Sequence, residues 1–137
     1  MEEEAFVSPD RLELEIQQST LFKQDDGSYR LKLHHEHFNV GCDLVFRPQM
    51  APLRHGEDGV VKAPDGGDMF YYFIPQCEVE GSLTFKGNRV GVSRGQGWYD
   101  HEFGGHKAED AAEQDIAWNW VALQLDGGRQ LTAYTLV

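Results

Sequence analysis

The chain has 137 residues, 40 % of them hydrophobic, and a formal net charge of −11, which suits one domain with one core. An acidic balance without clustered Lys and Arg argues against nucleic acid and against an anionic membrane surface as partners. No stretch approaches the roughly 18 apolar residues that span a bilayer. The opening MEEEAFVSPD lacks the apolar run of a signal peptide, so the default expectation is a cytoplasmic chain.

Residues 1–10 read as an acidic N-terminal tail. Beyond it the dominant period is two, which predicts half-buried strands. In RLELEI, Leu12, Leu14 and Ile16 alternate with Glu13 and Glu15. In YRLKLHHEH, Tyr29, Leu31 and Leu33 alternate with Arg30, Lys32 and His34. VGCDLVF puts Val40, Cys42, Leu44 and Phe46 on one side. A Pro/Gly-rich loop is expected from Arg47 to Asp68, then strands over MFYYFI and VEGSLTF. A turn at Lys86-Gly87-Asn88 leads into RVGVSR, and a turn at Asp126-Gly127-Gly128 separates IAWNWVALQL from RQLTAYTLV. HKAEDAAEQD, residues 106–115, reads as a short helix or a polar loop.

This gives about eight strands joined mostly by hairpin-sized links, an antiparallel meander that closes into a barrel or folds into a sandwich. No internal repeat or second domain is visible, so residues 1–137 read as one domain. The pattern stops within a strand at Tyr134-Thr135-Leu136-Val137, which leads to the expectation that something follows.

Cys42 and Cys77 lie far apart in apolar runs and read as two buried free thiols. No CxxC or Cys/His zinc spacing occurs. In HHEH, alternation sends His35 and His37 to the core side with Tyr29, Leu31 and Leu33. Two imidazoles at that spacing suit a metal, but hydrogen-bonded histidines near a pocket mouth are the preferred reading. No metal or other cofactor is expected.

GWYDHEFGG, from Gly97 to Gly105, sets three ionisable side chains in an aromatic stretch. Alternation puts Trp98, Asp100 and Glu102 on one face and Tyr99, His101 and Phe103 on the other. If the first face looks into a closed barrel, desolvation and mutual repulsion raise a carboxyl pKa and create a general acid. The alternative is a strand end whose carboxylates pair with Arg94 or Lys107. In WNWVALQL, Trp118, Trp120, Ala122 and Gln124 share one face, while Val121, Leu123 and Leu125 share the other. The aliphatic face is expected to supply the core, leaving the tryptophans for a ligand or a partner. An aromatic face beside carboxyls suits an elongated apolar ligand, and also a carbocation, which each ring stabilises by about 0.5–2 kcal/mol.

Three stretches together resemble the hydroxyneurosporene synthase (carotenoid 1,2-hydratase, CrtC) and AttH-like family. They are Tyr71, Tyr72 and Pro75; Trp98, Asp100, His101, Glu102 and Phe103; and Trp118, Trp120, Gln124, Leu125, Asp126, Gly128 and Arg129. Their order matches the family's, over about Phe70 to Tyr134, and Phe73 stands where the family usually has serine. The resemblance implies an antiparallel lipocalin-like (calycin) β-barrel, alone or as part of a two-domain architecture, with a cavity for a hydrophobic ligand. It also implies cofactor-free hydration or cyclisation of an isoprenoid, carotenoid or polyketide-like substrate.

On that reading Asp100 is the proton donor, and His101 or Glu102 sets its protonation. Trp98, Trp118 and Trp120 line the cavity; Tyr99, Tyr72 and Gln124 orient substrate or water. The expected partner is a lipophilic small molecule, with a homodimer contact or a second lipocalin-like domain beside it. Two other readings stay open: a non-catalytic lipophile binder or assembly domain, and a metal-dependent barrel using His35, His37 and His101.

Overall fold

A computed structural model describes residues 5–56, 58–62, 67–104 and 118–136. The side chains of Trp118 and Leu136 lie outside the described part, as do Lys107 and residues 106–115. Among the described residues the protein is all-β and antiparallel: eleven strands and a single 3₁₀ turn at Asp126–Gly128. In chain order the strands are β1 Ala5–Val7, β2 Glu13–Ile16, β3 Ser19–Lys23, β4 Tyr29–His35, β5 Val40–Pro48, β6 Leu53–Arg54, β7 Val60–Lys62, β8 Asp68–Phe85, β9 Asn88–Gly104, β10 Trp118–Gln124 and β11 Gln130–Leu136. No helix among the described residues is long and apolar enough to cross a membrane.

The expected period-two segments form strands, with four differences. Ala5–Val7, inside the stretch read as a tail, pairs with β2. Ser19–Lys23 forms a strand between β2 and β4. The expected loop after Arg47 contains β6 and β7, both paired to β8. MFYYFI and VEGSLTF are one continuous strand of 18 residues.

Pro75 sits inside that long strand, where a missing N–H would ordinarily break a ladder. The β5 pairing reaches Pro48↔Cys77, and the β6 pairing begins at Leu53↔Phe73. Pro75 therefore falls in the gap between the β5 and β6 pairings, where that edge of β8 changes partner.

Contacts divide the chain into two compact units: Met1–Gln49 with Cys77–Gly97, and Met50–Gln76 with Trp98–Val137. In the first unit the order is β1-β2-β3-β4-β5-β8, with β9 against β8. The register lines Val7, Leu14, Leu21, Leu31 and Leu44 in one row across five strands, ending opposite Gly81. The opposite face carries charge, including a two-pronged Arg30–Asp43 pair at 2.9 Å for each bond. Tyr29, Cys77 and Val79 are buried. At Gly81 the backbone has φ 135° and a Cβ would lie 2.1 Å from the Asp43 carbonyl oxygen, so no side chain fits there.

In the second unit β6 and β7 flank the N-terminal half of β8, and β10 pairs with β11 from Trp118↔Leu136 to Gln124↔Gln130. Its buried residues among those described are Gly59, Tyr71, Phe73, Ile74 and Pro75. The β8–β9 turn, which belongs to the first unit, is Lys86-Gly87, with φ of 49° and 78°, the left-handed pair that a two-residue hairpin loop needs.

His34 to His37 behave differently from the expectation. β4 ends at His35, and Glu36 to Asn39 form the turn, closed by Asn39 N–H donating to the Glu36 carbonyl at 3.0 Å. Asn39 takes φ 48°, a conformation asparagine tolerates better than most residues. The alternation holds through His35, the last residue of β4, and stops before His37; at this end of the strand the face it follows is itself exposed, Leu33 included. Both histidines are exposed, their rings against Phe38 at 4.7 and 4.9 Å.

Candidate functional site

The second unit collects most of the chemistry-bearing residues, and the strand pleat explains how. Successive β8 side chains alternate faces, so Tyr71 and Phe73 share one face and Phe70 and Tyr72 the other. The same alternation along β9 separates Trp98 and Asp100 from Tyr99, His101 and Phe103. The contacts follow this division. On one face the Tyr71 hydroxyl donates to Asp100 Oδ1 at 2.8 Å, and Phe73 stacks on Trp98 with centroids 5.4 Å apart and planes 5° apart. On the other, His101 Nδ1 lies 2.9 Å from the Tyr72 hydroxyl, Tyr72 meets Tyr99 at 6.1 Å, and Phe70 stacks on Phe103.

Three further side chains complete the Asp100 face. His55, just after β6, packs its ring 4.2 Å from Tyr71, 4.8 Å from Phe73 and edge-on to Tyr134 at 5.2 Å. Trp120 of β10 meets Trp98 edge-on at 6.2 Å. Gln124 Nε2 donates to the Pro75 carbonyl at 2.9 Å, fastening β10 where β8 changes partner. The backbone holds His55 as well: its N–H donates to the Tyr71 carbonyl, and Tyr71 N–H to that of Gly59.

The electrostatics follow from burial beside a carboxylate. Burial first, and then the hydrogen bond and charge of Asp100, push the Tyr71 hydroxyl well above the ordinary phenol range, while a hydrogen bond from Trp120 acts the other way. Burial lowers the His55 pKa, partly offset by the attraction of Asp100. Tyr134 is raised by burial and then by the charge of Glu102. The wall thus holds a neutral imidazole and two phenols that keep their protons.

Asp100 and Glu102 are themselves exposed, so the sealed compartment expected around both carboxylates is not formed by the described residues. Neither carboxylate forms an ion pair among those residues; the partner of Asp100 is a phenol, not Arg94. His101 is half-buried on the opposite face from Asp100 and bonds to Tyr72. Tyr72 and Tyr99 share that opposite face, so the sequence-derived set splits in two. Trp98, Asp100, Trp120 and Gln124 belong with Tyr71; Tyr72, Tyr99 and His101 belong together.

Neither face of β10 supplies a buried core, since Trp120 is as exposed as Val121 and Leu123. Val121, Leu123 and Leu125 are exposed, and it is the Trp120/Gln124 face that packs on β8 and β9.

Sequence reasoning missed His55 and Tyr134, and it named Tyr72, whereas the tyrosine that bonds Asp100 is Tyr71. His55 lies in a stretch without periodicity, so no pattern could have aimed it. Tyr71 was within reach: counting back from a two-residue turn at Lys86-Gly87 puts Tyr71 on the Asp100 face and Tyr72 on that of His101. Cys42 and Cys77 are both free, and burial raises the Cys77 thiol to about 11. Among the described residues no group of three or more His, Cys, Asp or Glu is placed to hold a metal ion. His35 and His37 belong to the first unit and His101 to the second.

Comparison with known proteins gives the chain a family. The AttH-like family model matches residues 2–137. No curated protein matches the chain. The fold is similar to the crystal structure of a Nitrosomonas europaea protein assigned as an AttH, with a TM-score of 0.75 and 22 % identity. The match covers 90 % of this chain and 38 % of that one, so the chain spans well under half the length of its structural relative.

Proposed function

The chain belongs to the AttH-like family, and from that membership together with the Tyr71–Asp100 geometry we propose that it binds a lipophilic small molecule on the aromatic wall of the second unit and hydrates or cyclises it by acid catalysis. The lipocalin-like barrel cavity and the hydratase or cyclase chemistry are part of this reading. The observation that carries it is the 2.8 Å bond from the Tyr71 hydroxyl to Asp100, made within a wall of Phe73, Trp98, Trp120, His55 and Tyr134.

The chemistry runs as follows. In the proposed step the Asp100 carboxyl delivers a proton to a substrate double bond; the π electrons form the new C–H bond and leave a carbocation on the neighbouring carbon. The carboxylate formed is stabilised by the Tyr71 O–H already aimed at it. In this reading Trp98 and Trp120 line the site and stabilise the cation. Water then adds and returns a proton to Asp100, or an internal double bond closes a ring and a proton is lost to the same carboxylate. Gln124 orients substrate at the edge of the wall. Glu102 biases the wall electrostatically, while Tyr72, Tyr99 and His101 support β9 from behind. No cofactor takes part in this scheme.

A specific observation favours a second reading, in which the chain binds or assembles without chemistry. Val121, Leu123, Leu125 and Leu131 are all more than 40 % exposed, and an apolar strand face of this kind ordinarily has a partner. A second lipocalin-like domain or a second copy would cover it.

Native mass spectrometry of the purified chain, followed by denaturation and solvent extraction, separates the two. A co-purified isoprenoid or polyketide supports the ligand reading. An empty, strongly dimeric chain refutes it in favour of assembly.

A further inference from the structure

The Asp100 wall contains more unmet hydrogen-bonding capacity than an apolar ligand could use. Six buried side-chain polar atoms lack a partner in the described structure, and four of them lie in the second unit: His55 Nε2, Trp98 Nε1, Gln130 Oε1 and Thr132 Oγ1. Native folds leave only a few such atoms per hundred residues, so four in one unit is a concentration to be explained.

They are also gathered on one surface. The β10–β11 register pairs Trp120 with Tyr134, Ala122 with Thr132 and Gln124 with Gln130. Gln130 and Thr132 therefore share a face with Trp120 and Tyr134. Trp120 meets Trp98, and Tyr134 meets His55. The orphaned atoms thus run along the wall beside the Tyr71–Asp100 pair, which is occupied with itself.

Building on the ligand-binding reading above, we infer that the ligand of this wall is an oxygenated lipophile bearing hydroxyl or keto groups, not a hydrocarbon. The types of the four atoms specify it. The Trp98 N–H only donates, Gln130 Oε1 only accepts, and the Thr132 hydroxyl and the neutral His55 ring act in either sense. A hydroxyl group satisfies both kinds of partner, and a keto oxygen satisfies the donors. A hydrocarbon leaves all four buried and unpaired, the situation that lets polar sites reject ligands lacking the matching group.

Isothermal titration of the full chain with two matched pairs, farnesol against farnesene and decalol against decalin, tests this. The alcohol is expected to bind at least about tenfold more tightly than its hydrocarbon in at least one pair. Thr132→Val and Gln130→Met, each close to the native shape, are expected to shrink that gap without weakening the hydrocarbon. Equal affinity for alcohol and hydrocarbon overturns the inference alone. A gap that persists in both variants also overturns it, and points to internal water satisfying the four atoms. If no compound of either pair binds, the ligand-binding reading falls and takes this inference with it.

Discussion

Replacing Tyr71 by Phe removes one oxygen from the wall and leaves its ring against His55, Phe73 and Tyr134. The lost interaction is the bond to Asp100 at 2.8 Å. Hydrogen bonds to charged groups contribute about 1.5–3 kcal/mol. Asp100 is exposed, and competing water reduces the expected coupling to about 1 kcal/mol. A double-mutant cycle of Tyr71→Phe, Asp100→Ala and the combined variant, followed by urea denaturation, isolates that term from the packing each substitution disturbs. The same hydroxyl has a pH signature. Its pKa is raised in the folded state, so its contribution is full below the unfolded phenol value of about 10 and is lost as pH rises beyond it. The Tyr71→Phe variant should lose less stability than wild type on that alkaline limb. Two single substitutions that add within about 0.3 kcal/mol, with superimposable alkaline limbs, would refute the assignment of Tyr71 as the partner of Asp100.

Other substitutions probe the surrounding structure. His55 has a lowered pKa in the folded protein, so its stabilisation is present above the unfolded value of about 6.5 and is lost as pH falls below it. His55→Phe should therefore flatten the acid side of the stability profile measured by thermal melts at stepped pH; an unchanged slope would show that another group titrates. Gly81→Ala places a methyl group against the Asp43 carbonyl at a φ that alanine avoids, and should cost at least about 2 kcal/mol by urea denaturation. A loss under half that would mean β5 and β8 shift apart easily. Phe73→Ala removes a buried ring stacked on Trp98, and should cost about 3–5 kcal/mol together with the near-ultraviolet circular dichroism of the Trp98 environment.

What the sequence revealed and what it hid divide along physical lines. The alternation in GWYDHEFGG correctly separated Trp98 and Asp100 from Tyr99 and His101, because β9 is regular there and the pleat alone decides direction. The same rule failed at His37, because a pattern of letters cannot show where a strand gives way to a turn, and at His35, because the last residues of β4 lie on a face left exposed. The length of β8 was hidden by Pro75, whose ordinary meaning is a break; its tolerance depends on β5 and β6 meeting β8 on either side of it. β6 and β7 have two and three residues, too few for any period, and exist because β8 offers them an edge. His55 reaches the wall only through those pairings. The β10 faces were misassigned for a related reason: both are apolar, and the packing of Trp120 and Gln124 on β8 and β9 is a tertiary fact.

The measurement that bears most directly on acid catalysis at the Tyr71–Asp100 pair compares the small molecules extracted from wild type and from Asp100→Asn, expressed in parallel and identified by mass spectrometry. The account predicts that both proteins carry a lipophile and that the two compounds differ. Wild type should hold the product, and the variant its unconverted precursor, lighter by one water for hydration or of equal mass but different absorption for cyclisation. The same compound in both proteins would contradict a catalytic Asp100 and leave a binding wall. No compound in either would contradict the wall as a ligand site.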